Sequence, residues 1–169
     1  MKVQAEVIER AKKITLLLMD CDGVLTDGKL YFTENGEEMK VFHVRDGQGL
    51  AMWHAAGFRS GIITGRKSKS LERRANELSV NFLKQNSRNK LNCFQEIISE
   101  VKVSIDEVAF VGDDVQDIIL LEKVGLPIAV ADAHSEIFPY ILHKTIAKGG
   151  SGAIREVIDL LLKSKQSHN

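Results

Sequence analysis

Apolar positions along the chain alternate between two rhythms. Residues 2–13 place Val3, Val7, Ile8 and Ala11 at helical spacing among Lys and Glu, which predicts a short amphipathic helix. Ile14–Met19 is a nearly continuous apolar run of strand length, the pattern of a strand covered on both faces. Residues 29–33 and 38–44 read as the arms of a hairpin about Glu34-Asn35-Gly36, since Asn-Gly supplies the positive φ of a tight turn. A helix over 46–56 follows, with Asp46 as its expected N-cap and Gly57 at its stop. Strand and helix then repeat. Strands are predicted at 58–63, 80–83, 107–111, 128–130 and 142–146, and helices at 67–78, 90–101 and 115–124. A turn or short helix covers 135–140, and a closing helix runs over 151–162. Alternating strands and helices predict an α/β fold, a three-layer Rossmann-like parallel sheet with helices on both faces.

Composition narrows the class. The 169 residues form one expected domain, with the hairpin 28–44 as its one protruding element. Lys+Arg and Asp+Glu number 23 each, so a surface built mainly to grip nucleic acid is not expected. The apolar run ending at Met19 is too short to span a membrane and lacks a signal-cleavage pattern, so neither membrane nor export is expected. Cys21 and Cys93 form no Cys-x-x-Cys pair, which predicts no zinc site and fits a reduced, cytoplasmic compartment.

Ligands of such sheets sit at the carboxyl ends of the strands, so the residues that follow each strand carry the chemistry. After the first core strand comes Asp20-Cys21-Asp22-Gly23-Val24-Leu25-Thr26-Asp27-Gly28. Asp20 and Asp22 are two apart and can face one side, with Cys21 turned the other way. Two close carboxylates suit divided roles, one ionised nucleophile or metal ligand and one proton donor. Thr64-Gly65-Arg66 follows the second core strand, Lys90 opens a helix, and Gly112-Asp113-Asp114 with Asp117 follows the strand ending at Val111. Each group alone has a plain explanation: Asp113 and Asp114 suit a helix cap, and single lysines and arginines are commonly solvated. Together they place carboxylates for Mg²⁺ and cations for a phosphoryl group on one rim. His43, His54 and His134 stand singly and read as contacts rather than ligands, while Met52 and Trp53 read as packing.

These motifs resemble those of the haloacid dehalogenase superfamily of phosphotransferases. The stretch from Asp20 to Gly28 is similar to its first motif, Thr64 to its second, Lys90 to its third and Gly112-Asp113-Asp114 to its fourth. The resemblance implies Asp20 as nucleophile, forming an aspartyl-phosphate, and Asp22 as general acid and base. It implies Thr64, Gly65 and Lys90 as the phosphate site. Mg²⁺ would be held by Asp20, the carbonyl of Asp22 and Asp113, with Asp114 and Asp117 behind them and Asp117 orienting Lys90 or a metal-bound water.

Only a hairpin separates the first motif from the next helix, so there is no room for a cap domain. The stretches 42–47, 130–134 and 149–153 resemble the capless sugar-acid phosphatases of the superfamily, which enclose their sites by forming homotetramers. A phosphorylated sugar acid is the implied substrate, with Arg66 and Arg45 as its implied contacts. Arg66 favours an eight-carbon acid 8-phosphate, because the nine-carbon phosphatases tend to carry Glu after Thr-Gly. Ser151 stands where these relatives carry Arg or Lys, so the charge of their C-terminal sugar contact is missing. Two alternatives stay open here: a nine-carbon or sialic-type acid 9-phosphate as substrate, and a non-catalytic module of the same fold. A response-regulator receiver fits less well, because its phosphorylated Asp follows the third strand and the run at 80–83 ends without one.

Overall fold

The computed structural model describes residues 4–166. Six parallel strands form the central sheet: β1 (Leu16–Met19), β4 (Arg59–Ile63), β5 (Phe82–Lys84), β6 (Val108–Gly112), β7 (Leu126–Ala129) and β8 (His143–Lys144). Their order is β5-β4-β1-β6-β7-β8, which puts β1 in the middle, and the chain reverses its direction of winding beside it. The arms β2 (Tyr31–Phe32) and β3 (Glu38–Met39) pair antiparallel as a separate hairpin, with Gly36 at φ +78°.

The apolar run of β1 divides cleanly between two layers. Leu17 and Met19 face one core with α1 (Ala5–Lys13), α2 (Val44–Ala55), α3 (Lys69–Glu77) and α6 (Ala153–Gln166). Leu16 and Leu18 face the other, with α4 (Lys90–Val101) and α5 (Ile118–Leu121). The period of two is hidden in the sequence because both faces are covered. Trp53 anchors the first core: it stacks on Phe58 at 4.3 Å, and its Nε1–H donates to the carbonyl of Arg59 at 2.8 Å.

Some expectations need correction. The cap of α2 is His43, whose Nδ1 accepts from the Arg45 N–H; Asp46 lies inside the first turn. Its carboxylate reaches α6 instead and accepts the Arg155 N–H at 2.8 Å. The predicted 115–124 helix is broken, with a 3-10 turn over Val115–Asp117 ahead of α5, because Asp114 and Asp117 form a capping box there. The predicted start of the first helix at residue 2 and the tail beyond 166 lie outside the described residues. Among these, no helix is long and apolar enough to cross a membrane.

Candidate active site

The site lies at the carboxyl end of the central strands. Asp20 follows β1 directly and is almost wholly buried. Its Oδ1 accepts the Cys21 N–H at 2.6 Å, and its Oδ2 accepts from Lys90 Nζ at 2.6 Å. Lys90 is the first residue of α4, fixed by the Asn89 cap. The same ammonium donates to Asp117 Oδ1 at 2.6 Å. The second oxygen of Asp117 accepts the backbone N–H groups of Asp113 at 3.0 Å and Asp114 at 3.4 Å. Both oxygens of Asp117 are therefore committed within the protein. Asp114 turns its carboxylate to the Val115 N–H at 2.7 Å.

Carboxylate oxygens of Asp20, Asp113 and Asp117 lie within 4.8 Å of one another. Burial pushes the Asp20 carboxyl above its ordinary range; Lys90 pulls it down and Asp117 pushes it up. Burial, together with Asp20 and Asp117, raises Asp113 to about 8. Burial opposes the Lys90 charge, but its two carboxylate partners outweigh it and hold the ammonium above its usual value. Three crowded carboxylates thus share one cation. The donor set fits a divalent ion taking oxygen ligands, with Asp113 beside the remaining lone pairs of Asp20, whose two oxygens also meet Lys90 and the Cys21 N–H.

Glycines make this approach possible. Gly23 sits at φ +80°, and a Cβ there would fall 1.9 Å from Asp113 Oδ2. Gly149 packs so closely on the same loop that a Cβ would fall 1.8 Å from the Gly23 carbonyl oxygen. Thr26 Oγ1 ties the loop by accepting the N–H groups of Gly23 and Gly28. Cys21, between the two aspartates, points into the core, and burial pushes its thiol up.

Thr64 is buried at the end of β4; its N–H donates to the Lys84 carbonyl, and its own carbonyl accepts from Ser87. Gly65 lies between Ser87 and Gln116. Arg66 Nη2 pairs with Glu38 Oε2 at 2.9 Å, and its Nε is 3.6 Å from Asp22 Oδ2. Asp22 Oδ1 pairs with Lys40, which also meets Glu38 Oε1 at 3.0 Å. Burial opposes the charges of Lys40 and Glu38, yet their pairing outweighs it, raising the lysine and lowering the glutamic acid. Glu38 and Lys40 escaped the sequence reading, although the alternation Glu38-Met39-Lys40-Val41 carries the signal: charges on one face of the arm, apolar groups on the other.

Arg45 lies beside a cavity whose lining does not include Asp20, Asp22 or Lys90. This cavity, of about 590 Å³, is also lined by Ser151, Arg155 and Lys144. Positions 45 and 151 therefore line one cavity in this chain.

Comparison with known proteins gives the family. A model of haloacid dehalogenase-like hydrolases matches residues 82–158. The 3-deoxy-D-manno-octulosonate 8-phosphate phosphatase KdsC of Escherichia coli (strain K12) is 46% identical over 160 residues, 95% of this chain and 85% of that protein. The chain belongs to the 3-deoxy-D-manno-octulosonate 8-phosphate phosphatase family. The structure of the phosphatase of that name from Yersinia pestis superposes with a TM-score of 0.94 at 42% identity, covering 96% of this chain and 88% of that one. A further phosphatase of the family, from Moraxella catarrhalis, was crystallised with magnesium ion, phosphate ion and a KDO molecule. It matches with a TM-score of 0.93 at 34% identity over 95% of this chain and 92% of that one. Magnesium is thus found with that relative, and here Asp20, Asp113 and Asp117 form a carboxylate cluster that could hold a metal ion.

Proposed function

We propose that this chain acts as one phosphatase domain that hydrolyses 3-deoxy-D-manno-octulosonate 8-phosphate to 3-deoxy-D-manno-octulosonate and phosphate, in lipopolysaccharide precursor synthesis. The observation that carries the reading is the Lys90 ammonium held between Asp20 and Asp117, 2.6 Å from each, beside Asp113. It makes a nucleophilic carboxylate, a phosphoryl-binding cation and metal ligands parts of one buried cluster.

Asp20 attacks phosphorus in line through the carboxylate, forming an aspartyl-phosphate as the ester oxygen departs. Asp22 gives that oxygen a proton and then takes one from the water that opens the intermediate. Thr64, the Gly65 backbone and Lys90 hold the phosphoryl oxygens. Asp117 spends both oxygens on Lys90 and two backbone N–H groups, so it positions Lys90. Magnesium, held by Asp20, Asp113 and the Asp22 carbonyl, neutralises charge gathered on the phosphoryl group. Arg66 faces the sugar, where a substrate carboxylate competes with Glu38 for it.

Four copies enclose one another's sites through their hairpins. Support comes from the apolar groups the hairpin region leaves in solvent: Leu30, Phe32, Met39, Val41 and Val44 are all more than half exposed.

The test is phosphate release from eight- and nine-carbon 2-keto-3-deoxy sugar acid phosphates, with and without a chelator. The expected result is magnesium-dependent turnover, fastest on the eight-carbon ester, and a folded but inactive Asp20→Asn protein. An active Asp20→Asn protein overturns the mechanism; preference for a nine-carbon ester overturns the substrate.

A further inference from the structure

Asp22, Lys40, Glu38 and Arg66 form a closed ring of alternating charge. Each carboxylate gives one oxygen to Lys40 and the other to Arg66: Asp22 uses Oδ1 and Oδ2, and Glu38 uses Oε1 and Oε2. The two cations differ in setting. The Arg66 side chain is 45% exposed and stands 3.6 Å from Asp22, whereas the Lys40 side chain is 4% exposed and hydrogen-bonded to it. Arg66 can turn outward to a ligand while Lys40 stays. Lys40 directly follows β3, so the docked hairpin and the orientation of Asp22 are linked through one side chain.

We propose that Lys40 is a positioning residue that clamps Oδ1 of Asp22 and leaves Oδ2 aimed at the departing ester oxygen. The inference rests on the reading of Asp22 as general acid. Asp22 has a short side chain on a loop, and two χ angles decide where its proton goes. Clamping one oxygen fixes both, and a misplacement of about 1 Å can cost as much as 100-fold in rate. The benefit depends on the leaving group. A basic leaving oxygen needs the proton in the transition state, and a nitrophenolate hardly does.

The test uses a series of substituted phenyl phosphates with the magnesium-loaded enzyme. The readout is the slope of log kcat/KM against leaving-group pKa, which reports the first chemical step. Lys40→Met is expected to steepen the slope, widening the gap between the most and least basic leaving groups by about tenfold. Lys40→Arg is expected to restore the gap to within about threefold of wild type, because it keeps a cation on Oδ1. The slope is internal to each protein, so a partly unfolded sample lowers every ester alike and leaves it unchanged. A parallel fall across the series, or no change, overturns the inference. Asp22→Asn separates the two readings. If it steepens the slope and Lys40→Met does not, the acid assignment stands and the clamp fails. If Asp22→Asn leaves the slope as in wild type, the acid assignment itself fails.

Discussion

Gly23→Ala is a single-methyl test of how the acidic cluster is built. The added Cβ would lie 1.9 Å from Asp113 Oδ2, against 3.4 Å for ordinary contact, so about 1.5 Å must be found. The Gly23 backbone is pinned beneath the Gly149 backbone, so the Asp113 carboxylate is the group that gives way. Two costs follow. The left-handed backbone at φ +80° costs alanine roughly 1–2 kcal/mol, or a melting temperature lower by roughly 2–8 °C. Displacing a metal ligand weakens magnesium binding by roughly 10–100-fold, the scale seen when the support of a ligand is lost. Gly36→Ala is the matched control: its φ is +78°, with nothing within 4 Å of the new methyl. The assays are thermal melts and the magnesium concentration for half-maximal phosphate release. Both variants should melt lower, and only Gly23→Ala should need more magnesium. Equal magnesium dependence in the two proteins would refute the crowding of Asp113 as a determinant of the site.

Other outcomes follow from particular contacts. Lys90→Met leaves Asp20 and Asp117 buried without their cation, so denaturant melts should show a loss of about 3–5 kcal/mol and turnover should vanish. A stable, active Lys90→Met protein would contradict the central ion pair. Burial raises the Asp46 carboxyl despite the Arg155 N–H it accepts, and its Oδ2 has no hydrogen-bond partner. The native state thus holds this proton more tightly than the unfolded chain, and stability falls as pH rises from about 4 through the raised value. Asp46→Asn should therefore gain on wild type as pH rises above about 4 in urea melts; parallel pH profiles would count against this. Replacing Phe32, Met39 and Val41 together by Ser should yield a smaller species in analytical ultracentrifugation with little activity. A fully active monomer would remove the case for enclosure by neighbouring hairpins.

Much of the site was legible because a parallel sheet puts its chemistry where strands end. Asp20, Thr64 and Asp113 follow β1, β4 and β6, and Lys90 opens α4, so the strand and helix pattern marked these positions, of which Asp20, Lys90 and Asp113 meet in one cluster. What pattern could not show is which oxygen meets which donor. Asp117 saturates itself on Lys90 and two N–H groups, a result of the 3-10 turn that replaced the predicted start of a regular helix. Asp46 looked like a cap because local chemistry favours Asp there, yet a long-range demand from the α6 backbone prevailed. Lys40 and Glu38 stayed hidden because the hairpin folds back over the rim, a tertiary event that alternation suggests but does not fix.

The tight seat of the Gly149-Gly150 turn on the loop after Asp20 also bears on biogenesis. A Cβ at Gly149 would fall 1.8 Å from the Gly23 carbonyl, and Gly150 donates its N–H to the Val24 carbonyl. The nucleophile's loop acquires this wall only after the segment that carries Gly149 and Gly150 has been made. Ribosome-bound chains that end before Gly149 should carry every acidic residue of the cluster and still release no phosphate, which would keep an unfinished protein from acting on esters while it is being made.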